Sequence, residues 1–314
     1  MNAPVIRTRG LAKRYGNKLA VDGLDLEVRE GEVFGLLGPN GSGKTTTILM
    51  LLGLTEPSAG EIQVLGLDPR LRPISVKRRV AYLPDTVGYY DDNTGRENLR
   101  YTARLNGRTS TDVEAGIERA LARMGLAEVI DRRVATYSRG MRQRLGLAEI
   151  VLRAPRIAIL DEPTVGLDPA GAQEFLEMVL ALKHEGMSVL LSSHYLHQVQ
   201  AICDRVGLFS RGRMVLHGTV DELASQVLGA SCRVHLEAQG DGLAAALRTV
   251  PGVGRVAAES ASRWLVEADK DVRSALVRAA IDAGAQIRGV QMERPGLDEV
   301  YANYFRSQFA GAAT

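Results

Sequence analysis

The sequence predicts an α/β fold that is preceded by an antiparallel β segment and followed by a small α+β domain. A glycine-rich loop at residues 38–45 lies between an apolar run at 32–37, typical of a buried strand, and a helical segment at 46–52. Further along, short apolar runs at 157–160 and 188–191 alternate with helical segments. Such alternation is typical of βαβ units, in which buried parallel strands have continuous apolar runs.

The other elements of this first part follow from local patterns. Alternation of apolar and polar residues predicts strands, and apolar positions at helical spacing after a polar start predict helices. In chain order these are strands 5–8, 24–28, 60–64 and 79–83, helix starts at 93–97 and 138, helices 112–124, 170–184 and 196–203, and strands 206–209 and 214–217. The polar stretch from about residue 91 to 137 is therefore predicted to be a helical region.

A second module is predicted near the C-terminus, after a connecting segment at residues 221–230. Its elements are strand 233–237, helix 242–250, strand 253–258, strand 263–267, helix 271–283, strand 286–291 and a terminal helix 297–305. The βαββαβ order predicts a ferredoxin-like fold.

The glycine-rich loop has the composition and the setting of a phosphate-binding loop. It consists of Gly38, Pro39, Asn40, Gly41, Ser42, Gly43, Lys44 and Thr45, with Thr46 next. Its glycines let backbone N–H groups turn toward a polyphosphate at the positive end of the helix dipole. We expect Lys44 to reach the β- and γ-phosphates and the Thr45 hydroxyl to bind Mg²⁺. The alternative is an ordinary glycine-rich turn, but the flanking strand and helix favour binding of a nucleoside triphosphate.

Composition limits the classes of partner and compartment. The 39 basic and 37 acidic residues give a net charge of +2, which offers no general case for nucleic-acid binding. Cys203 and Cys232 have neither metal-ligand spacing nor a disulfide framework, so we expect a reduced, cytosolic compartment. The sequence shows no signal peptide and no apolar run of the roughly 18 residues that a spanning helix needs. We therefore expect any membrane role to come through a partner.

Two carboxylates, Asp161 and Glu162, end the apolar run at 157–160, beside the place where the P-loop strand is also expected to end. Asp161 is positioned to hold Mg²⁺ through water, and Glu162 to polarise the water that attacks the γ-phosphate. The alternative is that the pair only ends a strand in a turn, which Pro163 would favour. The P-loop upstream favours the catalytic interpretation.

A helix beginning near Ser138 provides a second candidate anion site. Ser138 and Gly140 offer a hydroxyl, backbone N–H groups and the positive end of the helix dipole. The alternative is an ordinary serine N-cap. The basic residues in the first turn oppose the dipole, which favours a role other than helix stability.

With these residues in place, the chain closely resembles the nucleotide-binding subunits of ABC transporters. Residues Tyr137–Met141 match the signature element, with departures at three positions and with Ser138 and Gly140 retained. The resemblance implies that Tyr15 stacks on adenine, that Asp168 communicates across a dimer, and that His194 contacts the γ-phosphate. Taken alone, Tyr15 could end a strand, Asp168 could cap a helix, and His194 could be a surface residue.

One departure from the family pattern concerns a predicted metal ligand. The family usually has glutamine after Tyr-Leu-Pro, whereas Pro84 here is followed by Asp85. A carboxylate can bind Mg²⁺ but cannot donate an amide hydrogen bond. We therefore predict Asp85, together with Thr45 and Asp161, as metal ligands.

The resemblance implies an ABC-type nucleotide-binding domain over residues 1–225, with a helical subdomain at about 86–153, and an accessory or regulatory α+β domain over 230–314. It implies a head-to-tail dimer, of identical or paralogous subunits, that traps two ATP molecules with Mg²⁺. Each ATP would lie between the P-loop of one subunit and Ser138–Gly140 of the other. A separate polytopic permease would place the chain at the cytoplasmic face of the inner membrane.

The motif style resembles that of the exporter branch with ABC-2-type permeases. The alternative is a soluble ATPase of the same superfamily that acts on ribosomes or DNA. Such forms carry two nucleotide-binding domains or a long coiled-coil insertion, and neither occurs between Thr45 and Asp161. A third possibility, compatible with export, is that the C-terminal module senses a ligand.

Overall fold

The computed structural model describes residues 4–107, 112–229, 232–293 and 295–310. The chain divides into two compact units, Met1–His217 and Gly218–Thr314. Each unit has its own core, and the predicted site residues all lie in the first.

The first unit contains the strands and helices that hold the candidate site. Its strands are β1 (Pro4–Tyr15), β2 (Lys18–Arg29), β3 (Val33–Leu37), β4 (Ala59–Val64), β5 (Val80–Leu83), β6 (Ile157–Asp161), β7 (Ser188–Ser193), β8 (Arg205–Ser210) and β9 (Arg213–Gly218). Its helices are α1 (Lys44–Leu51), α2 (Pro73–Lys77), α3 (Gly95–Leu105), α4 (Asp112–Arg123), α5 (Arg139–Arg153), α6 (Pro169–His184) and α7 (Leu196–Gln200), with 3₁₀ turns at Ala127–Val129 and Val134–Thr136.

The central sheet has the strand order β5-β6-β7-β3-β8-β9, and β5 to β8 pair in parallel. Every residue of β3, β6 and β7 is buried, which explains their continuous apolar runs. The sequence placed the end of β6 beside the end of β3, but β7 lies between them. Its Ser192 pairs in register with Asp161, and its Ser193 pairs with Leu37. The carboxyl ends of all three strands therefore meet at one edge.

A second sheet, with the order β2-β1-β4, is antiparallel, as its alternating sequence predicts. Its inward side chains share a core with the central sheet; Ile6 and Ile62 of this sheet and Phe34 of β3 are almost fully buried there. The predicted helical region holds α3 and α4. The Thr94 side chain and Glu97 form the predicted capping box at the start of α3.

The second unit contains α8 (Val220–Leu228), β10 (Cys232–Gln239), α9 (Leu243–Arg248), β11 (Val253–Ala258), β12 (Arg263–Ala268), α10 (Arg273–Asp282), β13 (Gln286–Glu293) and α11 (Leu297–Ala310). Its antiparallel sheet has the order β11-β12-β10-β13, which is the ferredoxin-like order. Alternate residues of β10 are buried against α9 and α10 in a separate core. The predicted ferredoxin-like fold is therefore present.

The predicted connecting segment at 221–230 is wrong over residues 221–228, which belong to α8. Thr219 caps this helix, and Glu222 completes a capping box by accepting from the Thr219 N–H at 2.8 Å. The buried Leu223 and Ala224 give the helix an apolar face. The Thr219–Glu222 spacing is that of a capping box, so the start of this helix could have been predicted from the sequence. A smaller difference is α7, which ends at Gln200 rather than at residue 203.

Candidate nucleotide-binding site

The P-loop connects β3 to α1 through glycines that the surrounding backbone requires. Gly38 has φ 151°, and a Cβ there would lie 2.4 Å from the Phe209 carbonyl oxygen. Gly43, the N-cap of α1, has φ 117°, and a Cβ there would lie 2.6 Å from the Ala20 carbonyl oxygen. Distances this short exclude any side chain, so the loop can take this path only with glycine.

Lys44 holds its ammonium group inside the loop. Its side chain is 5% exposed, and Nζ donates to the Gly38 carbonyl oxygen at 2.6 Å. Nζ also lies 3.1 Å from Glu162 Oε1, which makes a nearly buried ion pair. The buried Ser42 Oγ has no hydrogen-bond partner among the described residues. An ammonium group and a free hydroxyl at the mouth of a glycine loop suit the oxygens of a polyphosphate.

Asp161 ends β6 at the centre of a hydroxyl network. It is 4% exposed and accepts from Ser192 Oγ at 2.5 Å, from Thr45 Oγ1 at 3.4 Å and from Tyr82 OH at 3.5 Å. Burial, reinforced by the Asp161 carboxylate, raises the pKa of Tyr82 to about 12. The structure thus brings the two predicted metal ligands Thr45 and Asp161 together. Tyr82 and Ser192, which the sequence did not point to, also contact Asp161.

Glu162 is held in a conformation that is uncommon for a residue with a side chain. Its φ is 50°, and its N–H donates to Ser192 Oγ at 3.0 Å. One carboxylate oxygen meets Lys44 Nζ, and the other lies 2.8 Å from His194 Nδ1. Because a carboxylate only accepts, Nδ1 carries the proton in that contact. Backbone strain of this kind is concentrated at functional sites, where the surrounding contacts fix it.

A cavity of about 530 Å³ collects most of the predicted nucleotide-binding residues. Its lining includes Tyr15, Asn40, Gly41, Gly43, Lys44, Thr45, Thr46, Asp85, Asp161 and Glu162. Tyr15 is 48% exposed, and Lys13 Nζ lies 4.8 Å from its ring centroid. Lys18 and Ala20 also line the cavity. Sequence reasoning missed them, although the β1–β2 hairpin that presents Tyr15 necessarily presents the start of β2 as well.

Three further predicted residues lie on a second cavity of about 360 Å³, away from the P-loop. Ser138, Gly140 and Asp168 line it. Ser138 Oγ accepts from the Met141 N–H at 3.2 Å as the N-cap of α5, and Asp168 Oδ1 accepts from the Gly171 N–H at 2.9 Å as the N-cap of α6. Two helix N-termini thus open on one cavity, which is a favourable setting for an anion.

Asp85 differs from the other predicted metal ligands in its partner. Its Oδ1 lies 2.5 Å from Arg139 Nη2, and its carbonyl oxygen accepts from Gln143 Nε2 at 3.1 Å. The carboxylate is therefore ion-paired with the first residue of α5.

Comparison with known proteins gives a consistent result. The family model described as ABC transporter matches residues 21–165. The daunorubicin resistance ATP-binding protein DrrA3 of Streptomyces coeruleorubidus is 38% identical over 94% of this chain and 94% of its own length. The Nod factor export ATP-binding protein I of Ralstonia nicotianae is 34% identical over 96% of this chain and 93% of its own length.

A solved structure of the ATP-binding subunit of an ABC transporter is 31% identical, with a TM-score of 0.65 over 71% of this chain and 92% of its own length. Together with the P-loop, the Asp161–Glu162 pair and the two helix N-termini, these similarities establish the family. The chain belongs to the ATP-binding, ATP-hydrolysing subunits of ABC transporters, the family that its motifs predicted.

Proposed function

We propose that two copies of this subunit, or this subunit and a paralogue, close head to tail on ATP and so drive a separate membrane permease in export. One observation carries this proposal. The residues predicted to contact ATP form two distinct groups on one chain, one around Lys44 and one around Ser138. The first group supplies phosphate and metal contacts, and the second supplies two helix N-termini. In a head-to-tail pair, the second group of one subunit would complete the first group of the other.

The oxygens of Thr45 and Asp161 fit the chemistry of Mg²⁺, since Mg²⁺ is held in proteins by one or two oxygen ligands together with substrate phosphates. Within the described ranges, no group of three or more His, Cys, Asp or Glu side chains is arranged as a metal cage. When bound, Mg²⁺ neutralises charge that develops on the phosphates. Asp85 lines the same cavity, and because its Oδ1 pairs with Arg139, its predicted role as a third ligand would use Oδ2 or compete with that pair.

In this proposal Glu162 polarises the attacking water, and His194 orients the Glu162 carboxylate. His194 Nδ1 contacts one carboxylate oxygen, and Lys44 Nζ lies 3.1 Å from the other, Oε1, which accepts no hydrogen bond among the described residues. When Lys44 contacts the γ-phosphate instead of Glu162, the Glu162 Oε1 is free to accept a proton from the attacking water. Lys44 compensates the phosphate charge, as positioning and charge stabilisation dominate phosphoryl transfer.

Ser138, Gly140 and Asp168 act on the nucleotide of the partner subunit. The Ser138 hydroxyl and the N–H groups of the first turn of α5 would meet its γ-phosphate. Asp168 would contact the partner across the interface while it caps α6. Hydrolysis then depends on closure, and closure is the movement that a permease can use.

The permease itself is inferred from the relatives. The names of two similar proteins refer to drug resistance and to Nod factor export, which supports an export role at the cytoplasmic face of the inner membrane. Among the helices that the structure describes, none is long and apolar enough to span a bilayer. The C-terminal ferredoxin-like unit is proposed as an accessory or regulatory domain.

Glu162→Gln tests the ATPase half of this proposal. Removing the base should lower steady-state hydrolysis by about 10²- to 10⁴-fold and stabilise an ATP-bound dimer. Light scattering during size-exclusion chromatography, with and without ATP and Mg²⁺, reports the dimer. Glu177→Gln, at an exposed position of α6, is the matched control. An unchanged hydrolysis rate in Glu162→Gln would remove Glu162 from its role.

Affinity purification from detergent-solubilised membranes of the native host tests the permease. A stoichiometric polytopic protein is the expected result. Recovery with ribosomal proteins or DNA, from the soluble fraction alone, would overturn the transport proposal in favour of a soluble ATPase.

A further inference from the structure

Two departures from the family pattern face each other in this chain. Asp85 stands where the family usually has glutamine, and Arg139 stands at the third position of the signature element. The two side chains form an ion pair in which Arg139 Nη2 lies 2.5 Å from Asp85 Oδ1. The side-chain amide of glutamine can donate a hydrogen bond, whereas the carboxylate of Asp85 can only accept one. Asp85 therefore needs a neighbouring side chain that donates. Arg139 supplies that donor from the first residue of α5.

The ion pair belongs to a continuous contact along one face of α5. Arg139, Gln143 and Gly146 have the i, i+4, i+7 spacing that places residues on one face of a helix. Gln143 is 2% exposed, and its Nε2 donates to the Asp85 carbonyl oxygen. At Gly146, a Cβ would lie 2.3 Å from Leu83 Cδ1, at the end of β5. The glycine therefore lets α5 approach the strand closely, and Asp85 lies where that strand leads into its loop.

Arg139 also packs on the loop before α6. Gly166 has φ 74°, and a Cβ there would lie 2.9 Å from Arg139 Cδ and 3.0 Å from its Nε. The next residue, Leu167, approaches Gly140, where a Cβ would lie 3.6 Å from its Cδ2. The stem of Arg139 thus lies on the Gly166 backbone while its guanidinium group holds Asp85.

We propose that Arg139 is a positioning residue that links three segments of one subunit: the loop after β5, the N-terminus of α5, and the loop that leads into α6. Asp85 is its fixed partner. The link makes the geometry of Ser138 and Gly140 depend on the loop at Asp85, which also borders the cavity of Lys44. The inference deepens the proposed function and rests on it for its effect on hydrolysis, whereas the link within the subunit is independent of it.

Charge exchange between the two positions tests the link. The variants are Asp85→Arg, Arg139→Asp and the double exchange, with the exposed pair Arg123 and Glu185 as the matched control. Each single reversal should lower kcat for ATP by about two- to fivefold, the range of a partly exposed ion pair, and the double exchange should restore it to within about twofold. Any change that the single reversals cause in the affinity for a fluorescent ATP analogue, or in the Mg²⁺ concentration for half-maximal hydrolysis, should likewise be reversed in the double exchange. The same exchanges at the control pair should leave kcat unchanged.

Amide hydrogen exchange of the signature segment gives a readout that needs no hydrolysis. Both single reversals should speed exchange of the N–H groups at residues 140–143, and the double exchange should slow it again. A merely structural loss would raise exchange throughout the first unit.

Three results would overturn the inference. Single effects that simply add in the double exchange would show that the two residues do not act as a pair. A raised Mg²⁺ requirement in Asp85 variants alone would assign Asp85 to the metal. A lower affinity for the nucleotide-bound partner in Arg139 variants alone would make Arg139 a contact across the dimer. If the wild-type chain neither hydrolyses ATP nor dimerises, the proposed function fails, while the exchange data still decide the link.

Discussion

The two groups of nucleotide-facing residues are built in opposite ways. Around the P-loop the charged side chains of Lys44, Asp161 and Glu162 are buried or nearly so and pair with one another or with buried hydroxyl groups. At the α5 N-terminus, Arg139 is 42% exposed, and its ion-pair partner Asp85, from the loop after β5, is 51% exposed. Buried charges lose the solvent that would compensate for a missing partner, whereas exposed charges keep it. The charged side chains of the first region are therefore held in one arrangement, whereas those of the second region can change their contacts when a partner subunit binds, at a small energetic cost.

The origin of the difference is the position of each segment in the fold. The first region lies at the carboxyl ends of buried parallel strands, where neighbouring strands supply hydroxyl groups at fixed distances. The second lies at two helix N-termini, where the backbone supplies the polar groups and the side chains mainly cap.

After Glu162→Gln, the largest expected effect is also in the buried region. Asp161→Asn removes the charge that three hydroxyl groups surround, so we expect hydrolysis to fall by about 10- to 100-fold and the Mg²⁺ requirement to rise. Steady-state ATPase assays over a Mg²⁺ titration measure both. If the Mg²⁺ titration is unchanged, Asp161 supports the loop rather than the metal.

An aspartate in the exposed region, Asp168, is expected to have a smaller effect, and on stability. Asp168→Ala removes the N-cap of α6 and should lower the free energy of unfolding by about 0.5–2 kcal/mol, whereas Asp168→Asn should retain the cap. Urea unfolding of the two variants compares them. The comparison between the regions fails if Asp168→Asn is as destabilised as Asp168→Ala, because the charge itself would then be essential to stability.

The smallest effect concerns Glu149, which lies on α5 with Arg139 but away from its exposed end. Burial raises the pKa of the Glu149 carboxyl above its ordinary value of 4.5, and Arg153 opposes this shift. The folded state thus binds this proton more tightly than the unfolded state, so the stability from this group is present below pH 4.5 and is lost as the pH rises through the folded pKa.

Glu149→Gln should therefore increase the free energy of unfolding at pH 8 relative to the wild type, and the increase should disappear toward pH 4. Urea titrations at the two pH values measure it, with the exposed Glu128→Gln as control. An equal change at both pH values would show that packing, and not the buried charge, sets the effect.

Much of the fold and of the candidate site could be predicted because the signals are local. The P-loop lies in eight consecutive residues between an apolar strand and a helix, although the backbone that requires glycine at 38 and 43 belongs to the distant Phe209 and Ala20. The N-cap residues Thr94, Ser138 and Asp168 indicate where their helices begin, because each accepts a hydrogen bond from an N–H group three residues later. The P-loop, the two acids after β6 and the signature element, with Tyr15, Asp168 and His194 around them, then identified the family before any distance was known.

Other features depend on contacts between distant segments. The insertion of β7 between β3 and β6 makes Ser192 a partner of both Asp161 and Glu162, which no spacing along the chain predicts. Tyr137, a departure from the family signature, donates from its hydroxyl to the Val129 carbonyl oxygen at 2.7 Å and is 6% exposed. It anchors the signature segment through a contact that is visible only in the folded chain.

The sequence alone was enough to predict the family, the P-loop, the two acids after β6 and the helix N-termini, because each is encoded in a short run of consecutive residues. Which residues meet depends on the folded chain: Glu162 lies between Lys44 and His194, and Asp85 pairs with Arg139, which is 54 positions away along the chain. Strand order and helix approach set those distances, and many side chains throughout the core determine strand order together. A local sequence pattern therefore does not predict the strand order.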